Sequence, residues 1–170
     1  EEAIPVLIRV LENSSQEPMV RHEAAEALGA IGSPKVIEIL EKYWKDPVIE
    51  VAETCELAIE RIKWLQNNKS EESLPANPYN SVDPAPPTTL KDVNKLKDIL
   101  LNHESLFERY RAMFALRNMR TKESIQALGS ALRHGGALFR HEIAFVLGQL
   151  QDEAGVPYLV ESLEDTSENE

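Results

Sequence analysis

The sequence predicts an all-α protein built of stacked helical hairpins, an α-solenoid. Apolar residues recur at helical spacing along nearly the whole chain, and no alternation of apolar and polar residues lasts beyond about five positions. The string at residues 20–29 also returns at residues 139–148, an offset of 119. Weaker copies at 51–58 and 108–117 indicate a period of about 30 residues, which is typical of stacked helical hairpins.

The first helix of each predicted hairpin has recognisable start signals. Two matching segments carry Pro5 and Pro157 in the first helical turn, where the missing N–H is not needed. Further first helices are predicted to begin at Pro34 and Thr121. Thr121 precedes Ser124 by three residues, which we interpret as less than a full capping box.

A proline-rich segment interrupts the repeats. Residues 67–89 hold five of the ten prolines and show little helical periodicity. We interpret them as a linker between two halves of the repeat array, residues 1–66 and 90–170. Because proline fixes its own φ and keeps the preceding residue out of the α region, residues 77–87 should be extended. The segment is expected to be a packed or mobile spacer, with a docking peptide as the alternative.

The composition limits the kinds of partner that the chain is expected to bind. Eighteen Lys and Arg stand against 29 Asp and Glu, giving a net charge of −11, so the basic surface needed to bind nucleic acid is missing and a cationic partner fits better. No apolar run approaches the roughly 20 residues of a membrane helix, so we expect no membrane partner.

The single Cys55 can form no internal disulfide, which favours a reducing, cytoplasmic location. Its apolar surroundings in the sequence predict a core residue.

Two copies of the repeat carry His-Glu at the same helical position, His22-Glu23 and His141-Glu142, and packing alone does not require this dipeptide. Neighbouring residues on a helix point about 100° apart, so each pair is expected to border one concave groove while aiming at separate points. Imidazole with carboxylates is typical of oxygen-activating ferrous sites, and helical proteins build dinuclear iron sites from several facing helices.

Rival motifs do not fit the spacing. The zinc pattern His-Glu-x-x-His would need histidines where the chain has Glu26 and Phe145. Glu26 lies one turn from His22 and could pair with it, but Phe145 cannot do the same, so we exclude Glu26 from a shared site. The dipeptide His103-Glu104 falls outside the repeat position and is interpreted as a coincidence. There is no glycine-rich phosphate loop, cysteine pair or serine nucleophile elbow.

Six strings in the sequence are highly specific: EPMVRHEAAEALGAIG at 17–32, DPVIEVAETC at 46–55, SVDPAPP at 81–87, FERYRAMFALRN at 107–118, LFRHE at 138–142 and VLGQL at 146–150. Together they resemble deoxyhypusine hydroxylase, a family of HEAT-like repeat enzymes. The resemblance implies an oxidoreductase, a monooxygenase that hydroxylates a deoxyhypusine residue of one eukaryotic translation factor. It also implies dioxygen as co-substrate and two iron ions held by four His-Glu pairs.

The resemblance assigns roles to the two pairs present. His22 and Glu23 would be ligands of one iron and His141 a ligand of the other. Glu142 would serve substrate binding rather than the metal, although a ligand role is the alternative. No catalytic residue separate from the metal site is expected. The other two pairs of the family are absent.

The repeat pattern also predicts a fragment. His22 follows Ile4 by 18 residues, so its counterpart in the repeat that begins near Val156 would fall at position 174, beyond Glu170. We therefore expect the chain to be inactive alone, although an oligomer is compatible with the sequence. The competing hypothesis is a metal-free HEAT-repeat scaffold whose concave face binds another protein, which is a common use of such solenoids.

Overall fold

The structure, a computed structural model, describes residues 2–68 and 77–168, and within these ranges it contains helices and no strands. The predicted all-α fold is confirmed. The helices are α1 (Ile4–Glu12), α2 (Pro18–Ile31), α3 (Ile37–Tyr43), α4 (Ile49–Asn67), α5 (Val93–Asn102), α6 (Leu106–Met119), α7 (Lys122–Ser130), α8 (Ala137–Leu150) and α9 (Val156–Glu164). Short 3-10 turns occupy Pro34–Val36, Ala131–Arg133 and Glu153–Gly155.

The contacts divide the described residues into two compact units. The first comprises residues 2–68 with 82–85, where α1 packs on α2, α3 packs on α4, and α2 packs most extensively on α4. Cys55 lies in this core with no exposed surface, as predicted, and burial raises the pKa of its thiol to about 12. Because a thiol with so high a pKa stays protonated and unreactive, Cys55 serves in packing.

The second unit comprises residues 77–81 with 86–168. Here α5 and α7 pack on α6, and α8 and α9 pack on α7. Arg117 of α6 is fully buried, and its guanidinium donates to the side chains of Asn77 and Gln149 at 3.1 and 2.9 Å. The same group lies over the ring of Phe114. Hydrogen bonds and an aromatic face together make burial of this charge tolerable.

The helix starts follow the sequence signals, with one correction. Pro5 and Pro157 lie in the first turn of α1 and α9, as predicted. Thr121 and Ser124 at the start of α7 do form a complete capping box: each side chain accepts from the backbone N–H of the other residue. The expectation of an incomplete box was wrong, because a serine hydroxyl performs the role that glutamate or glutamine usually has.

Helix α4 ends at Asn67, the first residue of the predicted linker. Residues 69–76 of the predicted linker lie outside the described residues. From residue 77 to 92 the described chain has no helix, but a local turn places Asn80 at a φ of 51°, so residues 77–87 are not extended throughout. Arg61 of α4 donates to the Asp83 carbonyl at 3.1 Å, and Ala85 is fully buried. Residues 82–85 therefore pack as part of the first unit, and the linker role of the segment stays a prediction.

In the ranges 2–68 and 77–168, no helix combines the length and apolar character that crossing a membrane requires.

Candidate metal centre

The first His-Glu pair converges on one point beside α2. His22 is buried, with 4% of its surface exposed, whereas Glu23 lies on the exposed side of the helix. The Nε2 atom of His22 is 3.7 Å from Oε1 of Glu23 and 4.0 Å from Oε2 of Glu26. The expectation that His22 and Glu23 aim at separate points was wrong, because the Glu23 carboxylate lies close to the Nε2 atom of His22.

The other ring nitrogen of His22 faces the neighbouring helix. Nδ1 lies 2.8 Å from the hydroxyl oxygen of Thr54, on α4. That hydroxyl is also 2.7 Å from the Glu50 carbonyl oxygen one turn earlier. The imidazole is thus held from the α4 side, while Nε2 faces the carboxylates of α2.

Negative charge is crowded around this point. The pKa of Glu26 is raised, mainly because the carboxyl is partly buried and further because Glu23 and Asp83 carry the same charge nearby. A bound cation would relieve this repulsion. Imidazole nitrogen and carboxylate oxygen are donors that metal ions take, and the crowded negative charge favours a cation at this point.

The second pair has the opposite burial pattern. On α8, His141 is exposed and Glu142 is buried, with 9% of its surface accessible. Phe139, one turn before Glu142, packs against Tyr110 of α6 with the ring centroids 6.0 Å apart. Glu142 therefore lies on the side of α8 that faces the preceding repeat.

The neighbouring helices explain why the histidine is buried in the first pair and exposed in the second. In the first pair the histidine side of α2 is covered by α4, the second helix of the next hairpin. Among the described residues, which end at Glu168, the hairpin after α8 has its first helix, α9, but no second helix. The histidine position thus faces the following repeat and the glutamate position the preceding one. His22-Glu23 and His141-Glu142 belong to different units, and the roles predicted for them stay predictions.

The remaining histidines lie at helix ends. Nδ1 of His103, the residue after α5, accepts from the Ser105 backbone N–H at 3.1 Å. His134 is exposed and follows the 3-10 turn at Ala131–Arg133. Over the described ranges, no group of three or more His, Cys, Asp or Glu side chains is placed to hold a metal ion.

Sequence reasoning missed Thr54, the residue that contacts His22. A signal was present, because the copies of the repeat place Ala24, Ala112 and Ile143 at the position of Thr54. A hydroxyl at a position that is otherwise apolar indicates a polar partner in a neighbouring helix.

A comparison with models of protein families shows to which family the chain belongs. The family model described as HEAT repeats matches residues 1–60 and 93–170, so the chain belongs to the HEAT-repeat family, in agreement with the helical repeats.

The similarity of the chain to individual proteins then points to one kind of HEAT-repeat protein. Deoxyhypusine hydroxylase of Drosophila melanogaster is 57% identical over 99% of this chain and 56% of its own length. The human protein of the same name is 58% identical over 98% of this chain and 55% of its own length. A solved structure of human deoxyhypusine hydroxylase in complex with glycerol matches with a TM-score of 0.93 over 99% of this chain and 58% of that chain. The resemblance drawn from the sequence is confirmed, and the chain spans a little over half the length of these relatives.

Proposed function

We propose that this chain supplies part of the iron site of a deoxyhypusine hydroxylase, a monooxygenase that hydroxylates a deoxyhypusine residue in a translation factor. The observation that carries the proposal is the convergence of His22 Nε2 and the Glu23 carboxylate, 3.7 Å apart, on one side of α2. The relatives at 57–58% identity bear the name of this enzyme.

The side chains at this point fit a ferrous ion. Imidazole and carboxylate are the donor set of non-haem iron oxygenases. His22 is held by α4, whereas Glu23 is exposed and can adjust by rotation about its side-chain bonds. A fixed imidazole beside an adjustable carboxylate suits a metal that must leave positions open for other ligands.

His141 is proposed as a ligand of the second iron and Glu142 as a substrate-binding group. The contrast between the exposed Glu23 and the buried Glu142 supports different roles for the two glutamates. When bound, the two irons would supply the activation of dioxygen. The chain's own residues would hold the ions, and the negative charge of a Glu142 carboxylate would attract a substrate ammonium group.

The proposed substrate is a cationic, polyamine-like side chain on a protein. The net charge of −11 and the crowded carboxylates beside His22 favour such a substrate. We also propose a cytoplasmic location, which the single free Cys55 supports, because reducing compartments preserve thiols.

The test uses a chimera in which this chain replaces the matching segment of human deoxyhypusine hydroxylase. The chimera should bind two irons and add one oxygen atom to a deoxyhypusine-bearing protein, as measured by metal analysis and mass spectrometry. His22→Ala or His141→Ala should remove iron and activity. His103→Ala is the matched control, because His103 lies at a helix end away from the repeat position, and it should leave both unchanged. Unchanged iron and turnover in His22→Ala would overturn the proposal.

A further inference from the structure

The hydroxyl of Thr54 links two helices through a short buried chain of hydrogen bonds. His22 and Thr54 are 4% and 3% exposed, so their side chains are largely shielded from water. The chain runs from His22 Nδ1 to Thr54 Oγ1 over 2.8 Å and from Thr54 Oγ1 to the Glu50 carbonyl oxygen over 2.7 Å.

This chain fixes the position of the protons. The Thr54 hydroxyl has one hydrogen, and two oxygens 2.7 Å apart need a hydrogen between them, so Thr54 donates to the Glu50 carbonyl. The same hydroxyl must then accept from His22, which places a proton on Nδ1. In a neutral imidazole the second nitrogen, Nε2, then carries a lone pair.

We propose that Thr54 is a positioning residue that selects the Nδ1–H form of His22 and directs the Nε2 lone pair toward the metal beside Glu23. This inference rests on the proposed function. Histidines that bind metals commonly donate the other ring N–H to an acceptor that fixes the ring, and removing that acceptor weakens metal binding by about 10- to 100-fold. Here the acceptor is a threonine hydroxyl oriented in turn by a helix carbonyl.

His103 provides an internal comparison. Its Nδ1 accepts from the Ser105 N–H at 3.1 Å, so in the neutral ring its proton is on Nε2, the opposite form from His22. The two histidines should therefore give different patterns of ring nitrogen shifts in one NMR spectrum.

The first measurement is the tautomer of His22 in the metal-free chain, by long-range proton–nitrogen NMR at a pH where the imidazole is neutral. The wild type and Thr54→Ser should both show Nδ1–H at His22, because serine keeps the hydroxyl. Thr54→Val has nearly the same shape but no hydroxyl, and it should shift His22 toward the Nε2–H form. Circular dichroism checks that each variant is folded. An unchanged His22 tautomer in folded Thr54→Val would overturn the proposal.

The second measurement is the affinity of the chimera for ferrous iron under anaerobic conditions. Thr54→Val should bind iron about 10-fold more weakly or worse, whereas Thr54→Ser should stay close to the wild type. Equal iron affinity in Thr54→Val and Thr54→Ser would overturn the orienting role toward the metal. If the wild-type chimera binds no iron, the proposed function fails, while the NMR result still decides whether Thr54 sets the tautomer.

Discussion

Gly29 of α2 lies directly against Ala58 of α4. A Cβ atom added at Gly29 would come within 2.8 Å of the Ala58 Cβ and 3.0 Å of its Cα. The second contact is with backbone, so it cannot be relieved by a rotamer change. The close approach belongs to the same α2–α4 interface that brings His22 to Thr54.

We therefore expect Gly29→Ala to destabilise the chain by about 1–3 kcal/mol, as overpacked cores do, despite the higher helix propensity of alanine. The measurement is urea unfolding followed by circular dichroism. Spreading α2 from α4 should also lengthen the His22–Thr54 hydrogen bond and increase the Nε2–H form of His22 in NMR spectra.

Gly148 is the matched control, because it occupies the same repeat position on α8 and an added Cβ meets nothing within 4 Å. Gly148→Ala should be neutral or stabilise the chain by up to about 1 kcal/mol through helix propensity. A loss of stability at Gly148 as large as that at Gly29 would contradict the packing argument.

The ion pair of Arg21 and Asp46 is the basis of a pH-dependent prediction. Both side chains are 5% exposed, and the guanidinium contacts the carboxylate at 2.5 and 3.2 Å while its Nε donates to the Leu11 carbonyl. Asp46→Asn leaves a buried cation without its partner charge and should reduce the free energy of unfolding at pH 7 by about 3 kcal/mol. Asp98→Asn, at an exposed aspartate of α5, should change it little.

The hydrogen bond from Arg21 lowers the pKa of Asp46 in the folded chain. For a carboxyl with a lowered pKa, the stabilisation is fully present above the unfolded pKa of about 3.9 and is lost as the pH falls through the folded value. The difference between wild type and Asp46→Asn should thus be constant above about pH 5 and shrink below about pH 4. An equal difference at pH 3 and pH 7 would show that the charge is not responsible.

The repeats could be predicted from the sequence because their signals are local. Helical periodicity, prolines in first turns and the return of the string around His22 depend on a few neighbouring residues each, and the structure contains the corresponding helices. The capping box at Thr121 was underestimated because serine at the third helical position is a less frequent partner.

The environment of each His-Glu pair could not be predicted, because it depends on helices from other repeats. His22 and His141 each stand between an arginine and a glutamate, yet one is buried and the other exposed. The difference arises because α4 covers the side of α2 that carries His22. The hairpin after α8 has no second helix in the residues described, so nothing there covers His141 in the same way. Similarly, Thr54 lies 32 residues from His22, and only the packing of α2 on α4 joins them.

Glu142→Ala in the chimera should retain more iron than His22→Ala or His141→Ala but bind the protein substrate poorly. The reason is that loss of a substrate contact raises KM without removing a metal ligand. Metal analysis and a KM measurement separate the two effects, and Glu142→Gln keeps the shape if the alanine variant unfolds. Equal iron loss in all three alanine variants would place Glu142 among the ligands.

The last prediction concerns the 170-residue chain by itself, which we expect not to hydroxylate anything as a monomer. Ferrous oxygenase sites ordinarily use three protein ligands per ion, whereas the proposed set offers His22 and Glu23 to one iron and His141 to the other. The only further histidines, His103 and His134, lie at helix ends. Fewer ligands weaken metal binding, because both bonds and preorganisation are lost.

The test is turnover of a deoxyhypusine-bearing protein by the purified chain with ferrous iron, reductant and dioxygen, at dilutions where light scattering shows a monomer. The chimera serves as the positive control under the same conditions. Activity that appears only at concentrations where the chain dimerises would indicate that two copies complete a site, since symmetric assembly can bring equivalent ligands together. Stoichiometric iron and turnover by the monomer would instead show that the ligand assignment is wrong.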